Sequence, residues 1–237
     1  MTKPDSHDYP SGDPGFEART AMERSGLYGF LATIFRSEPS EVQIKGMKSP
    51  SFQEALGGLD FGFLDPDETE LAGELATEYA ALFREPGGHV SPHESVHVQE
   101  GGQLLGEATN EVKNYIEACG FEYDPDYHGL PDHISTELEF MAEVTRQEAL
   151  AWQEENYIKT SNCLEFEREF FDHHLDNWMP VFCDKVLERA QLPFYRCIIE
   201  LMQNYLKTES DEINRRLCLA KSAQSEALQV HAKGGHC

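Results

Sequence analysis

No stretch of this sequence approaches the roughly 20 consecutive apolar residues that a membrane-spanning helix needs. Its six cysteines (Cys119, Cys163, Cys183, Cys197, Cys218 and Cys237) include no C-x-x-C pair. That spacing argues against a clustered-thiolate zinc site and against the disulfide framework of a short secreted chain. Most of them fall inside helical patterns and read as buried free thiols. The phosphate-binding G-x-x-x-x-G-K-[ST], a dinucleotide-binding G-x-G-x-x-G after a strand, and the nucleophile elbow G-x-S-x-G are all missing, so nucleotide-driven or hydrolase chemistry has no support. Positive charge is scarce, with 19 basic against 43 acidic side chains and a net of −24. Such a field repels nucleic acid and steers basic partners, although solubility alone explains it more simply. Met1 to Gly15 lack the basic-then-apolar order of a secretory signal. The expectation is therefore a flexible tail and a protein that stays in the cytosol.

What is present is helical periodicity. The chain has 237 residues, 40% of them hydrophobic, enough for one sizeable core. Leu27, Phe30, Leu31 and Ile34 share one face of a pattern running from Phe16 to Phe35. Short helices broken by Gly57-Gly58 are expected in 41–64. Asp65, Pro66, Asp67 and Glu68 look like a helix start, with a cap, a proline at the first position and acids at the positive end of the dipole. Leu71, Leu75, Tyr79 and Leu82 then form a buried stripe. Residues 85–102 read as loop. A helix resumes near Gln103 with Leu105, Ala108, Val112, Tyr115 and Cys119 in register, and Gly120 stops it. After a second loop at 121–131, the longest helix is expected from Asp132 to Asn156. Further helical patterns cover 161–190, 193–207 and 209–228. No segment alternates like a strand. The reading is an all-α, single-domain bundle over 16–228, with flexible tails at 1–15 and 229–237.

Two segments carry residues suited to chemistry or recognition. The first runs from Glu85 and Pro86 to His97, and its His89, His93 and His97 recur every four residues. On a helix they would form one face, as in a zinc site, but Pro92 breaks that geometry. A long loop rich in imidazole and carboxylate is a natural recognition surface. The second is Pro131-Asp132-His133-Ile134-Ser135-Thr136-Glu137-Leu138-Glu139-Phe140-Met141. Asp132 can sit at or next to the helix cap, while His133 and Glu137, four apart, can share a hydrogen bond. No nucleophile or oxyanion loop accompanies them, so an active site is weakly indicated. Between Pro131 and Tyr157 stand seven acids (Asp132, Glu137, Glu139, Glu143, Glu148, Glu154 and Glu155) against Arg146 alone. An arginine-bearing peptide could pair with carboxylates at that spacing.

Together the two segments resemble the paired motifs of the TorD/DmsD/NarJ family, chaperones that mature molybdenum-cofactor oxidoreductases. The family's first motif reads like E-P-x-x-H-x-S-P-Y-E-S-V-Y and its second like P-D-H-I-x-x-E-L-x-F-M. Here His93 and His97 stand where the family often has tyrosines, and each adds a group that titrates near neutrality. The resemblance implies a TorD-like helical bundle that binds the immature catalytic subunit of a molybdoenzyme, commonly through its twin-arginine signal peptide, and needs no cofactor of its own. It implies a holding protein, monomer or homodimer, and not an enzyme. The residues expected to meet the client are Glu85, Pro86, His93, Glu94, Ser95, Asp132, His133 and Glu137. Reversing the charge of Asp132 and Glu137 to lysine is expected to weaken binding and leave the fold intact. A rival reading is a metal-binding protein or metal-dependent hydrolase using His89, His93, His97, His128 and His133. A third is a permanent subunit of a redox complex.

Overall fold

Asp13 opens the first helix by accepting a hydrogen bond from the Phe16 backbone at 2.8 Å, and Pro14 takes the first helical position, where its missing N–H costs nothing. This computed structural model describes residues 12–55, 67–85, 87–99, 101–122 and 129–234. Helix α1 (Pro14–Arg36) is followed by α2 (Glu41–Met47), which Ser40 and Gln43 cap reciprocally, and by α3 (Pro50–Ala55). Asp65 and Pro66 lie outside the described residues. The observed cap of α4 (Glu68–Phe83) is Asp67, whose carboxylate accepts from Thr69 N at 3.0 Å. Its expected stripe of Leu71, Leu75, Tyr79 and Leu82 is buried.

Three departures from the sequence reading follow. A short helix, α5 (Glu94–Val98), lies within the expected loop, immediately after Pro92. Helix α6 (Glu107–Ala118) begins later than Gln103, because Gly101, Gly102 and Leu105 all have positive φ, which a right-handed helix cannot accept. Leu105, assigned above to the helix's inner face, is instead exposed. After α7 (Ile134–Gln153), α8 (Tyr157–Phe170) passes through a π-helical turn (Phe171–Leu175) into α9 (Asp176–Leu187). The third departure is α10 (Pro193–Gly234), which joins the patterns at 193–207 and 209–228 and runs on to Gly234. No glycine or proline interrupts it, and the Thr208 hydroxyl turns back to bond Tyr205 O at 3.2 Å instead of breaking the helix. Among the described residues the regular elements are all helical, apart from one isolated β-bridge.

Helix α1 lies along α7, while α8 packs against both α7 and α10. Tyr28, Leu31 and Phe35 of α1 meet a core that includes Leu138, Met141, Leu164, Phe182 and Tyr195. Inside it sits an ionic cluster. Arg24 reaches Glu148 at 3.0 Å, Glu167 at 2.6 Å and Glu209 at 2.6 Å, while Arg216 holds Glu17 and Glu148 at 2.6 Å each. Four helices thus share two guanidinium groups. With the part-exposed Arg215, which also pairs with Glu17 at 3.1 Å, three cations face four carboxyls, and burial together with the neighbouring Glu148 and Glu209 pushes Glu167 up to about 8, against the pull of Arg24. Buried pairs of this kind contribute little net stability but register the helices that make them, and removing one member is costly.

Candidate functional site

Loop 89–93 and the start of α7 meet through the isolated bridge between His93 and His133. Glu94 N donates to Asp132 O at 3.0 Å, and Ile134 N donates to Pro92 O at 2.9 Å. The Asp132 side chain also crosses over: its Oδ2 accepts from Ser95 N at 3.1 Å, capping α5 from a segment 37 residues away. Helix α7 is capped instead by His133, whose Nδ1 accepts from Ser135 N at 3.2 Å. Because Nδ1 accepts there, the ring proton of the neutral imidazole is on Nε2. Glu137 does not reach His133. Its Oε2 accepts from the Trp178 indole at 3.0 Å, while His174 Nδ1 sits 3.0 Å from Glu94 Oε2. A polar layer of Glu94, Asp132, Glu137, His174 and Trp178 therefore welds the two motifs to α9 and the π turn. Burial, and next the adjacent Glu94, hold Glu137 well above the usual carboxylate range.

These positions change how the expected contact residues act. Glu94 is 2% exposed, and Ser95, Asp132 and Glu137 are 0% exposed. They hold the motifs together beneath the surface, and contact with a client falls to their neighbours. Charge reversal of Asp132 and Glu137 would bury two unpaired cations, so the expectation that the fold survives it is withdrawn. Nor do the seven acids of 131–157 form one open face. Glu148 is inside the ionic cluster, Glu139 pairs with Arg36, and Glu143 pairs with Arg146. Glu85 is exposed at the end of α4 and lines a smaller neighbouring cavity. Pro86 and His128 lie outside the described residues.

Above the welded layer lies an open pocket of about 750 Å³. His89, Ser91 and Pro92 of the first motif line it, with His93 and His133 from the two sides of the bridge. The rings of His93 and His133 stand edge to face at 4.9 Å. His97 is stacked on Trp178 at 5.2 Å. Its Nε2–H donates to Ser91 O at 2.8 Å, since a carbonyl only accepts, and its Nδ1 then accepts from Lys185 Nζ at 3.2 Å. Burial pushes His93 and His97 below 6.5, and burial together with His93 pushes His133 down to about 4. The two histidines in the family's tyrosine positions thus hold a proton less readily than a free imidazole, and each presents an aromatic ring to its neighbours. The floor is aromatic: Tyr79 and Phe83 line it, and Phe83 stacks on Phe182 at 6.1 Å.

Two features escaped the sequence reading. The first is the set of cations at this pocket. Arg36, Arg84 and Lys185 each stand at the C-terminal end of a helix, where a positive charge complements the dipole. With Arg189 they line the cavity, and among the described residues no carboxylate does. The second is an apolar rim. Leu104, which lines the pocket, is 48% exposed, next to Leu105 at 67%. Leu105 has φ 65°, a left-handed backbone that costs a side-chain-bearing residue roughly 1–2 kcal/mol. Its signal was the glycines around it.

Among the described residues no three His, Cys, Asp or Glu side chains are grouped to hold a metal ion. The two loop motifs of this helical bundle are thus locked into one pocket. The family model described as nitrate reductase delta subunit matches residues 47–184, a span that contains both motifs and the π turn. The chain belongs to this family. It is similar to the chaperone protein TorD of Vibrio parahaemolyticus, 23% identical over 207 residues that cover 79% of this chain and 93% of the relative. It is 26% identical over 138 residues to the TorD chaperone of Photobacterium profundum, covering 58% of this chain and 62% of that one. The perchlorate reductase assembly chaperone protein of Dechloromonas aromatica is 27% identical over 124 residues, 51% of this chain and 52% of the relative. The resemblance read from the two motifs is borne out: this is a chaperone of the molybdoenzyme-maturation family and not an enzyme.

Proposed function

We propose that this chain is a cytoplasmic, system-specific chaperone for the catalytic subunit of one molybdenum-cofactor oxidoreductase. It binds the immature subunit, including its twin-arginine signal peptide, and holds it until cofactor insertion and assembly are complete and export can begin. The observation that carries this reading is the His93–His133 bridge, which turns two distant motifs into one open pocket with an exposed leucine rim. The rim suits the apolar stretch of a signal peptide, a mode of recognition in which an amphipathic segment lies in a groove.

The arginines of such a peptide have two carboxylates to address. Glu38 pairs with Arg84 at 3.1 Å, and Glu139 pairs with Arg36, both at the pocket's edge with side chains about half exposed. Exposed pairs of this kind are worth only about 0–1 kcal/mol each, so an incoming guanidinium exchanges for the resident one at little cost. The test is copurification from the native host, with bound proteins identified by mass spectrometry. The immature, cofactor-free catalytic subunit is the expected catch, and a Leu104→Ser/Leu105→Ser variant should retain less of it. Recovery of this chain with the mature, exported enzyme would make it a permanent subunit and sink the proposal.

A further inference from the structure

The chain's charge is inverted at this pocket. Acidic residues number 43 in 237, yet among the described residues none lines this cavity, whereas Arg36, Arg84, Lys185 and Arg189 all do. Two of those cations are already matched, Arg36 by Glu139 and Arg84 by Glu38. Lys185 and Arg189 form no ion pair with a carboxylate among the described residues. Lys185 Nζ is held 3.2 Å from His97 Nδ1, a neutral acceptor that positions the ammonium without cancelling it. Compensation of the α9 dipole accounts for one positive charge near residue 187, not for two beside a cavity that no described acid lines. In a protein of net charge −24, this is a local field of opposite sign with walls that focus it.

We propose that Lys185 and Arg189 form a subsite for a carboxylate-bearing segment of the client polypeptide, an acidic side chain flanked by apolar residues. Leu104 and Leu105 favour this occupant over a free small anion, because a lone anion has no use for two exposed leucines, one of them held in a left-handed backbone. The subsite is separate from the Glu38 and Glu139 carboxylates that a twin-arginine peptide addresses. The chaperone thereby reads two opposite charges on its client. This inference rests on the proposed client-binding role of the pocket.

The probe is a capped peptide of leucine, alanine and glutamate, compared by calorimetry with the same peptide carrying glutamine. The full-length chain should prefer the glutamate peptide by about tenfold or more, the scale of one charge-assisted hydrogen bond. The preference should shrink with added salt. The Lys185→Gln/Arg189→Gln variant should lose it, with a melting temperature lowered by no more than about 4 °C, the size of one lost helix-dipole contact, because both side chains are exposed. Equal binding of the two peptides, binding of neither, or a preference that survives the double variant would each overturn the subsite. Full displacement of the peptide by inorganic phosphate would reassign it to a small anion. A dimer in sedimentation that the double variant abolishes would reassign it to a second copy of this chain. If the parent chain captures the immature subunit yet binds the glutamate and glutamine peptides equally, only this inference fails. If even the parent chain captures no client, the chaperone reading fails first.

Discussion

Replacing Asp132 with alanine removes the carboxylate that joins the two motifs, and the structure sets the size of the loss. Its Oδ2 is the acceptor for Ser95 N at 3.1 Å, and both residues are almost wholly buried. Loss of an N-terminal cap costs about 0.5–2 kcal/mol, and a stranded buried N–H about 1–3 kcal/mol, two measures of the same event. Against this, Asp132 Oδ1 has no hydrogen-bond partner among the described residues, so removing a half-partnered buried carboxyl gives some of the loss back. The net is about 1–2 kcal/mol, or roughly 2–8 °C in melting temperature for a chain of this size. Helix α5 has only five residues and cannot persist alone, so its amides should exchange faster with deuterium while those of α7 keep their protection. Asp132→Asn keeps an acceptor and should cost less than about 1 kcal/mol. Client binding should fall in step with the loss of α5 protection. Weakened binding with α5 fully protected would mean that Asp132 touches the client directly, and unchanged stability would refute the capping argument.

Further outcomes test the buried charges. Burial raises the Glu137 carboxyl, so its stability contribution is complete below the unfolded carboxyl pKa and is lost as pH rises from there toward the folded value, by up to about 1.4 kcal/mol per pH unit. Glu137→Gln keeps an acceptor for Trp178 and removes that dependence; denaturant unfolding should show a variant at least as stable as the parent at pH 7, with a flatter pH profile. A loss above about 1 kcal/mol there would show that the ionised acid is what the fold needs. Arg24→Met leaves Glu148, Glu167 and Glu209 without their shared guanidinium and should cost about 3–5 kcal/mol in urea unfolding. Adding Glu167→Gln should recover part of that loss, and complete additivity of the two changes would contradict a shared cluster.

Much of the helical order was readable in advance because helices depend on neighbours three and four apart. The stripe of Leu71, Leu75, Tyr79 and Leu82, the stop at Gly120 and the entry at Pro193 are all local signals. Arg24 is not singled out by the sequence reading, although it stands four and seven residues before the buried Tyr28 and Leu31. Its partners were not legible, since Glu148, Glu167 and Glu209 come from three other helices more than a hundred residues away. The same limit misled the reading of the second motif. Asp132 and Glu137 have the composition of a solvated acidic face, and only packing against α5 and Trp178 turns them inward.

By itself the sequence determined an all-α chain, the two motifs and, through them, the family. Each of these is written in local spacing or in a run of consecutive residues. Tertiary structure decided which of those residues face outward. The bridge between His93 and His133, the carboxylate of Asp132 capping a helix 37 residues away, and the gathering of four cations around one cavity all depend on segments that meet only when the bundle closes. Burial then set the charge states, because taking a carboxyl or imidazole out of water favours its neutral form whatever its neighbours in the chain. An acidic sequence thus folds to present a basic pocket, its cations at three helix ends and several of its carboxyls locked beneath.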